Sequence, residues 1–338
     1  MAESKNYNVR LESDEYLVEG NLSITCKMDA PADPPIDPVD PPEDPVDPVD
    51  PVDPPEDPVD PVDPIDPPED PVDPVDPPQD PVDPPMSVED ATANIIANAG
   101  HVGDSSTFTV RDGSLSVSAA DTIIENMVIR GTVRVQANAH NVIVRNCVIE
   151  SEAPYGVQAN FGAQNLLVHN VTFTRQGSSA ILGDNFVFRN NHVFDVGADA
   201  AKPGHNCDVL DNYFERLGYK DDAHADGVQI VAGSNVNISG NYFDMINGEG
   251  GYKNSQCCMV QTNNGPVTNV NVTNNYIKGG GYSLQFRNRT EDPTECSIEG
   301  NVFFRDSYQF GPWIVDGDGV AISGNTYEDG SPVEGQDS

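Results

Sequence analysis

The sequence predicts an all-β chain whose C-terminal two-thirds is a parallel β-helix solenoid. Two observations carry this. The first is an Asn followed by a short apolar or aromatic run, found at Asn126, Asn146, Asn170, Asn191, Asn212, Asn241, Asn275, Asn301 and Asn325. Repeats of this length, with insertions in some copies, are the mark of a solenoid. The second is the alternation ahead of each Asn, as in Val142-Ile143-Val144 and Val270-Asn271-Val272, which reads as a half-buried strand. One such strand cannot cover its own apolar face, whereas stacked coils bury a continuous core. Asparagines at one corner of successive coils can then bond one another, as side-chain ladders do in stacked sheets. Recurrent Leu at fixed spacing is missing, which disfavours a leucine-rich repeat; a β-sandwich is the alternative.

Three segments follow from composition. Residues 1–29 contain short apolar alternations and are expected to form a docking hairpin or a tail. Residues 30–86 hold 23 of the 29 prolines and 19 of the 55 acidic residues, in Asp-Pro-Val blocks without Lys or Arg. Proline fixes φ and removes donors, so this segment is expected to be a disordered, polyproline-II-like linker. Residues 87–338 form the solenoid, with Val88–Asn98 at helical spacing as a cap over the open first coil, and the polar tail after Tyr327 fraying or capping the last coil.

The formal net charge is -38. Outside the linker, 36 acidic residues still face 17 basic ones. Such a surface disfavours nucleic acid and anionic membranes, and a strongly anionic ligand would need a local basic cleft. No apolar run approaches a membrane span, and no basic and apolar leader opens the chain. The six cysteines form no C-x-x-C pair, so no metal site is expected. Cys147 is expected to be a buried thiol. In the pair Cys257-Cys258 one residue should face the core and the other solvent.

A second strand in each coil sets the candidate site. Aligned backwards from each Asn, Val157, Ile181, Ala201, Val228, Val260, Leu284 and Ile314 are expected to point inward. The residues after them then place Gln158, Lys202, Gln229, Gln261 and Gln285 in an outward row, with Arg287 two positions beyond Gln285. Asp199 and Asp226 fall at equivalent strand entrances, with His224 close by. The longest inserts, 216–225 and 245–256, flank this face and bring in Tyr252. Amides at regular spacing suit a linear sugar polymer; such rows also stack on themselves for stability. Asp226, His224, Lys202 and Asp199 are the catalytic candidates, because neighbouring carboxyls shift each other's pKa. Gln158, Gln229, Gln261, Gln285, Arg287 and Tyr252 are the substrate-binding candidates.

The runs D-A-A-K-P-G-H-N (199–206), H-A-D-G-V-Q (224–229), G-S-N-V-N-I-S-G-N (233–241), G-G-G-Y-S-L (279–284) and F-R-D-S-Y-Q-F-G-P (304–312) resemble right-handed parallel β-helix repeat proteins of the pectate-lyase-like fold. That group occurs in bacteria and in phage tail proteins. Its relatives by fold include polysaccharide lyases, glycoside hydrolases, epimerases and tailspikes. The resemblance implies a glycan-binding and polysaccharide-degrading module of tailspike or depolymerase type. The alternatives are a non-catalytic structural or adhesive β-helix and a uronate epimerase. The lyases' calcium cluster and the paired Asp of polygalacturonase-type hydrolases have no matching motif, so no cofactor is expected, with Ca2+ the one ion the fold allows. The expected partner is a polysaccharide or cell-surface glycan. A homotrimer, or attachment through the N-terminal segment, and a virion or extracellular location complete the expectation.

The linker lacks the apolar residues needed to offset ordering entropy. Residues 87–338 alone are therefore expected to melt within a degree or two of the full chain in calorimetry; a large drop would mean that the linker packs on the solenoid.

Overall fold

The computed structural model describes residues 3–12, 17–26 and 86–334. The Asp-Pro-Val segment lies outside the described residues. Two strands near the N-terminus, Glu3–Glu12 and Leu17–Cys26, pair antiparallel with Glu3 opposite Cys26 and Glu12 opposite Leu17.

The second unit is a parallel β-helix. Each complete coil contributes a strand to each of three faces. One face is a nine-stranded parallel sheet running from Leu115–Val117 through Val133–Val135, Tyr155–Ala159, Ser179–Gly183, Ala201–Pro203, Ala225–Ile230, Asn254–Gln261 and Tyr282–Arg287 to Gly311–Val315; we call it the front sheet. The other two faces are the side sheet, which contains Phe186–Arg189, His205–Leu210 and Gly233–Ser239, and the back sheet, which contains His192–Val196, Tyr213–Leu217 and Tyr242–Met245. In the early coils, Ile143–Glu150 and Leu166–Thr174 run through the corner between side and back without a break.

The core consists of stacked columns of like residues. Register aligns Ile124, Val144, Val168, Phe188, Val209, Ile238, Val272 and Ile298 on the side sheet, and Ile149, Phe173, Val193, Phe214, Phe243, Ile277 and Phe303 on the back sheet. All are buried. Full burial of an apolar side chain contributes about 1.5–3 kcal/mol relative to exposure, and only neighbouring coils close each column.

The asparagine repeat resolves into two positions. From Asn191 onward, through Asn212, Asn241, Asn275, Asn301 and Asn325, the side chains are buried at the side–back corner. Each Nδ2 of the first five donates to the Oδ1 of the next at 2.9–3.0 Å. Each also donates to a side-sheet carbonyl, Phe188 O for Asn212 and Val209 O for Asn241. The next Oδ1 additionally accepts the backbone N–H, as from Asn241 to Asn275 at 2.9 Å. Asn126, Asn146 and Asn170 stand one residue earlier: register sets Val171 opposite Cys147, and Thr172 opposite His192, so Asn170 matches Asn190 rather than Asn191. These three are not buried and have φ near +50°, the left-handed region that asparagine tolerates. The corner has the same length in early and late coils, five residues from Val144 to Ile149 and from Phe188 to Val193; in the early coils the asparagine occupies the left-handed position, and the buried position falls to Cys147 and Val171.

A second ladder went unread in the sequence. Asn141, Asn165, Asn185, Asn206, Asn235 and Asn269 sit at the front–side corner with φ of 54–57°. Bonds link Asn165 to Asn141, and Asn269 through Asn235 and Asn206 to Asn185, at 2.9–3.1 Å.

Two further expectations are corrected. The helix Val88–Asn98, N-capped by Ser87 accepting from Asp90 N at 3.1 Å, does not cover the first coil. It lies against the middle of the solenoid, touching Tyr242–Met245 and sharing a groove with Asn170, Asn190 and Asp211. The chain then returns along Asn190 and Asn146 to start the first coil, which leaves Val110 and Ile123 about half exposed. At the other end Val333 is buried beneath the last coil, its N–H bonded to Asn325 O. Cys257 and Cys258 are both buried. Strands entering the front sheet curl inward, so two successive residues face the core at Ala180-Ile181, Ala200-Ala201, Gly227-Val228 and Ser283-Leu284 as well. The first of each pair must be small; a Cβ on Gly227 would meet the Phe243 ring at 2.6 Å.

Asn241→Ala is expected to cost about 1–3 kcal/mol in chemical denaturation, because it orphans buried partners. Asn126→Gly, at an exposed left-handed corner, should stay within about 0.5 kcal/mol of the parent.

Candidate functional site

The outward positions of the front sheet carry the candidate residues. Register places Arg134, Gln158, Leu182, Lys202, Gln229, Met259, Gln285 and Ile314 in one column. Gln158, Lys202, Gln229 and Gln285 are thus in the expected row. Gln261 is not; it lies two residues further along, opposite Arg287. The inward partner of Val228 is Cys258 rather than Val260, and that of Leu284 is Trp313 rather than Ile314. Counting back from the asparagine misses the register because the connecting stretch varies: Asn241 follows Gln229 by 12 positions, whereas Asn275 follows Met259 by 16. The strand entrance also carries a one-residue shift, where Asn254 pairs with Ala225 but Gln256 with Asp226. Val260 is nonetheless buried, two residues along the same strand.

Asp199 and Asp226 meet at the strand entrances. Asp199 Oδ1 accepts the Asp226 N–H at 2.7 Å, and its Oδ2 pairs with Lys202 Nζ at 2.8 Å. Asp226 Oδ1 accepts from Gln256 N, and Oδ2 from Gln229 Nε2, both at 3.2 Å. Both carboxyls are 2% exposed, whereas the Lys202 side chain is 24% exposed. Burial raises the Asp199 pKa above the ordinary carboxylate value, and Lys202 opposes that rise. Burial drives Asp226 well above it, and the neighbouring Asp199 adds to the shift. Burial thus disfavours the charged form more strongly at Asp226, while charge on Asp199 is matched by Lys202. What this cluster presents to solvent is Lys202 and Gln229, each oriented by a carboxyl beneath it.

His224 is exposed in the turn ahead of Asp226. The two inserts are tied together: Lys253 N donates to Gly218 O, and Ala225 N to Lys253 O, both at 3.0 Å. Lys220 Nζ reaches back to Gly177 O at 2.6 Å, so this loop lies over earlier coils. Tyr252 turns away from the front sheet: its hydroxyl donates to Asp195 Oδ1 at 2.5 Å, above the back sheet. Arg287 is held by Asp316 at 2.6 Å, so Asp316 belongs to this face.

Tyr252 borders a cleft absent from the sequence reading. Glu215, Arg216, Asp244, Glu249 and Asn254 line about 250 Å3 with it. Glu215 and Asp244 are register partners on successive coils. Burial would raise Glu215, but the hydrogen bond from His192 at 3.0 Å and the charge of Arg216 outweigh it and hold its pKa below the usual range. Asp244 pairs with Lys278 at 2.8 Å. The signal was present: Glu215, Asp244 and Lys278 each stand three residues after a ladder asparagine. Glu215, Arg216 and Asp244 are matched by charged neighbours, while Glu249 is exposed. Among the described residues, no group of three metal-ligating side chains is placed to hold an ion, and no helix is long and apolar enough to cross a membrane.

The chain matches no family model, and searches of curated proteins and of solved structures find no match. Fold and surface define it as a parallel β-helix protein whose polar front face is built over a buried carboxyl pair.

The fold binds the Asp226 proton more tightly than the unfolded chain does. Stability from this group is present below the ordinary carboxylate pKa of about 4 and is lost as pH rises toward the raised native value. Asp226→Asn keeps the shape and removes that ionisation. Its melting temperature relative to the parent should therefore climb between pH 4 and pH 8; a difference independent of pH would mean that Asp226 is already ionised in the fold.

Proposed function

We propose that the protein is a glycan-binding β-helix that holds a linear polysaccharide on its front sheet. The observation that carries this reading is the outward column Gln158, Lys202, Gln229 and Gln285, with Lys202 and Gln229 anchored by Asp199 and Asp226. Parallel strands repeat every 4.7–4.9 Å or so, and the column interleaves these hydrogen-bonding side chains with Leu182 and Met259, which offers a polymer polar and apolar contacts in turn. Fixed polar groups bind sugars more tightly than mobile ones, because their ordering cost is met during folding. The Asp-Pro-Val segment suits a tethered binding module of the tailspike or depolymerase kind implied by the resemblance.

Degradation at the carboxyl cluster is the second reading. It is favoured by the difference between Asp226, whose burial disfavours charge, and Asp199, whose charge Lys202 can match. Environments that push two carboxyls apart are how acid and base roles are divided. The burial of both groups opposes it, since a sugar must reach them.

A polysaccharide panel assayed for retention, for new reducing ends and for unsaturated uronate separates the readings. Retention is expected, and the double variant Lys202→Met/Gln229→Ala should weaken it on the order of tenfold or more. Product release that disappears in Asp226→Asn would establish degradation. Failure to retain any glycan across the panel would remove the proposal.

A further inference from the structure

One end of the front sheet carries an exposed aromatic pair. Phe310 is 64% exposed and lies 5.5 Å from Tyr282, with the rings tilted by 42°. Its loop is pinned to the neighbouring coil by Phe310 N to Gly281 O at 2.8 Å, Gln309 N to Gly280 O at 3.1 Å and Gly279 N to Ser307 Oγ at 3.0 Å. Phe310 packs against Tyr282 and leaves most of its ring open to solvent, where a ligand could reach it. Tyr282 occupies the same place in its coil as Gln256 and Asp226 do in theirs, so the pair continues the candidate face.

Beside it runs a relay whose polarity is fixed. Arg289 Nε donates to Gln261 Oε1 at 3.1 Å, and Gln261 Nε2 donates to Gln285 Oε1 at 2.7 Å. Arginine can only donate. The Gln261 oxygen must therefore face Arg289, its amide nitrogen must face Gln285, and the Gln285 oxygen is consumed. Gln285 is left with its NH2 to offer. The Arg289 loop is itself fixed: buried Thr262 Oγ1 accepts from Arg289 N at 3.0 Å and donates to Glu291 O at 2.8 Å, while Thr290 Oγ1 donates to Thr262 O. Arg289 has no carboxylate partner among the described residues. The site thus presents donors beside an aromatic platform, and its ligand must supply an acceptor. Glu291, Asp292 and Asp316 sit around the same loop, with Asp292 bonded to Asn288 and Asp316 to Arg287. Their charge disfavours an anionic acceptor such as a uronate carboxylate and favours a neutral carbonyl.

We propose that Tyr282, Phe310, Gln285 and Arg289 form a subsite for an N-acetylated sugar, with a pyranose ring on the aromatic pair and an acetamido carbonyl accepting from Gln285 and Arg289. This rests on the glycan-binding reading above. Tyr282 and Gln285 are three residues apart, about 10 Å along a strand, so the ring and the acetamido group belong to neighbouring sugars, and the minimal ligand is a disaccharide.

The test uses the full chain and a panel of N-acetylhexosamine-containing oligosaccharides, each with its deacetylated counterpart, alongside uronate oligosaccharides, with affinities measured by calorimetry. Preference for the acetylated member is expected. Phe310→Ala should weaken it about tenfold. Gln261→Glu is the sharper variant: glutamate accepts from both neighbours, so Gln285 must turn its NH2 inward and expose its oxygen, and acetamido preference should vanish with the melting temperature kept. Binding of glycans without acetamido preference, or undiminished binding in both variants, would overturn the subsite and leave the glycan reading standing. Loss of self-association in Phe310→Ala, with glycan affinity unchanged, would assign the aromatic pair to an interface between copies and overturn it too. No binding to any glycan would bring down both.

Discussion

A primary amide in the core of a β-helix must satisfy two donors and an acceptor in every coil, and the asparagine ladder does so by using each coil to complete the next. Asn241 gives its amide hydrogens to Asn275 and to Val209 O, while its own oxygen takes the side-chain and backbone N–H of Asn212. No single coil can meet this demand. The cost of leaving such a group unpaired in the interior holds each coil to one register against its neighbours. The aliphatic and phenyl columns then fall into line without further specification, because their spacing is already set.

That fixed register also decides what the front sheet can display. Side chains one coil apart are locked into columns, so Asp199 and Asp226 meet although 27 residues separate them. The inward curl at the strand entrances buries the pair and forces small residues at the next position, which is where Gly227 and Cys257 stand. Buried carboxyls side by side cannot both be charged at little cost; Lys202 offsets the charge on Asp199, and burial disfavours charge on Asp226. The result is a surface on which the exposed amide and ammonium groups are braced from below. Short inserts tied to one another, rather than long free loops, frame that surface.

The sequence by itself determined the fold class. Alternation and a recurrent asparagine are satisfied together by stacked parallel coils, and both are visible without coordinates. It also set Gln158, Lys202, Gln229 and Gln285 in one row, and it brought Asp199 and Asp226 to equivalent places, because those coils differ only in their loops. Tertiary structure decided what turns on small offsets. Asn126, Asn146 and Asn170 occupy the left-handed corner position, one residue before the buried ladder. A longer stretch between the front strand and Asn275 set Gln261 two residues past its row, and the curl at the strand entrance buried both Cys257 and Cys258. The helix found its place on the flank, since its position depends on which surface of the finished solenoid fits it. The back-sheet cleft and the Arg289–Gln261–Gln285 relay likewise exist only once distant coils are adjacent. Periodicity in a sequence fixes which residues recur, but a bulge or a connecting stretch of different length changes the phase of that recurrence, and only the hydrogen bonds between coils say where the phase slips.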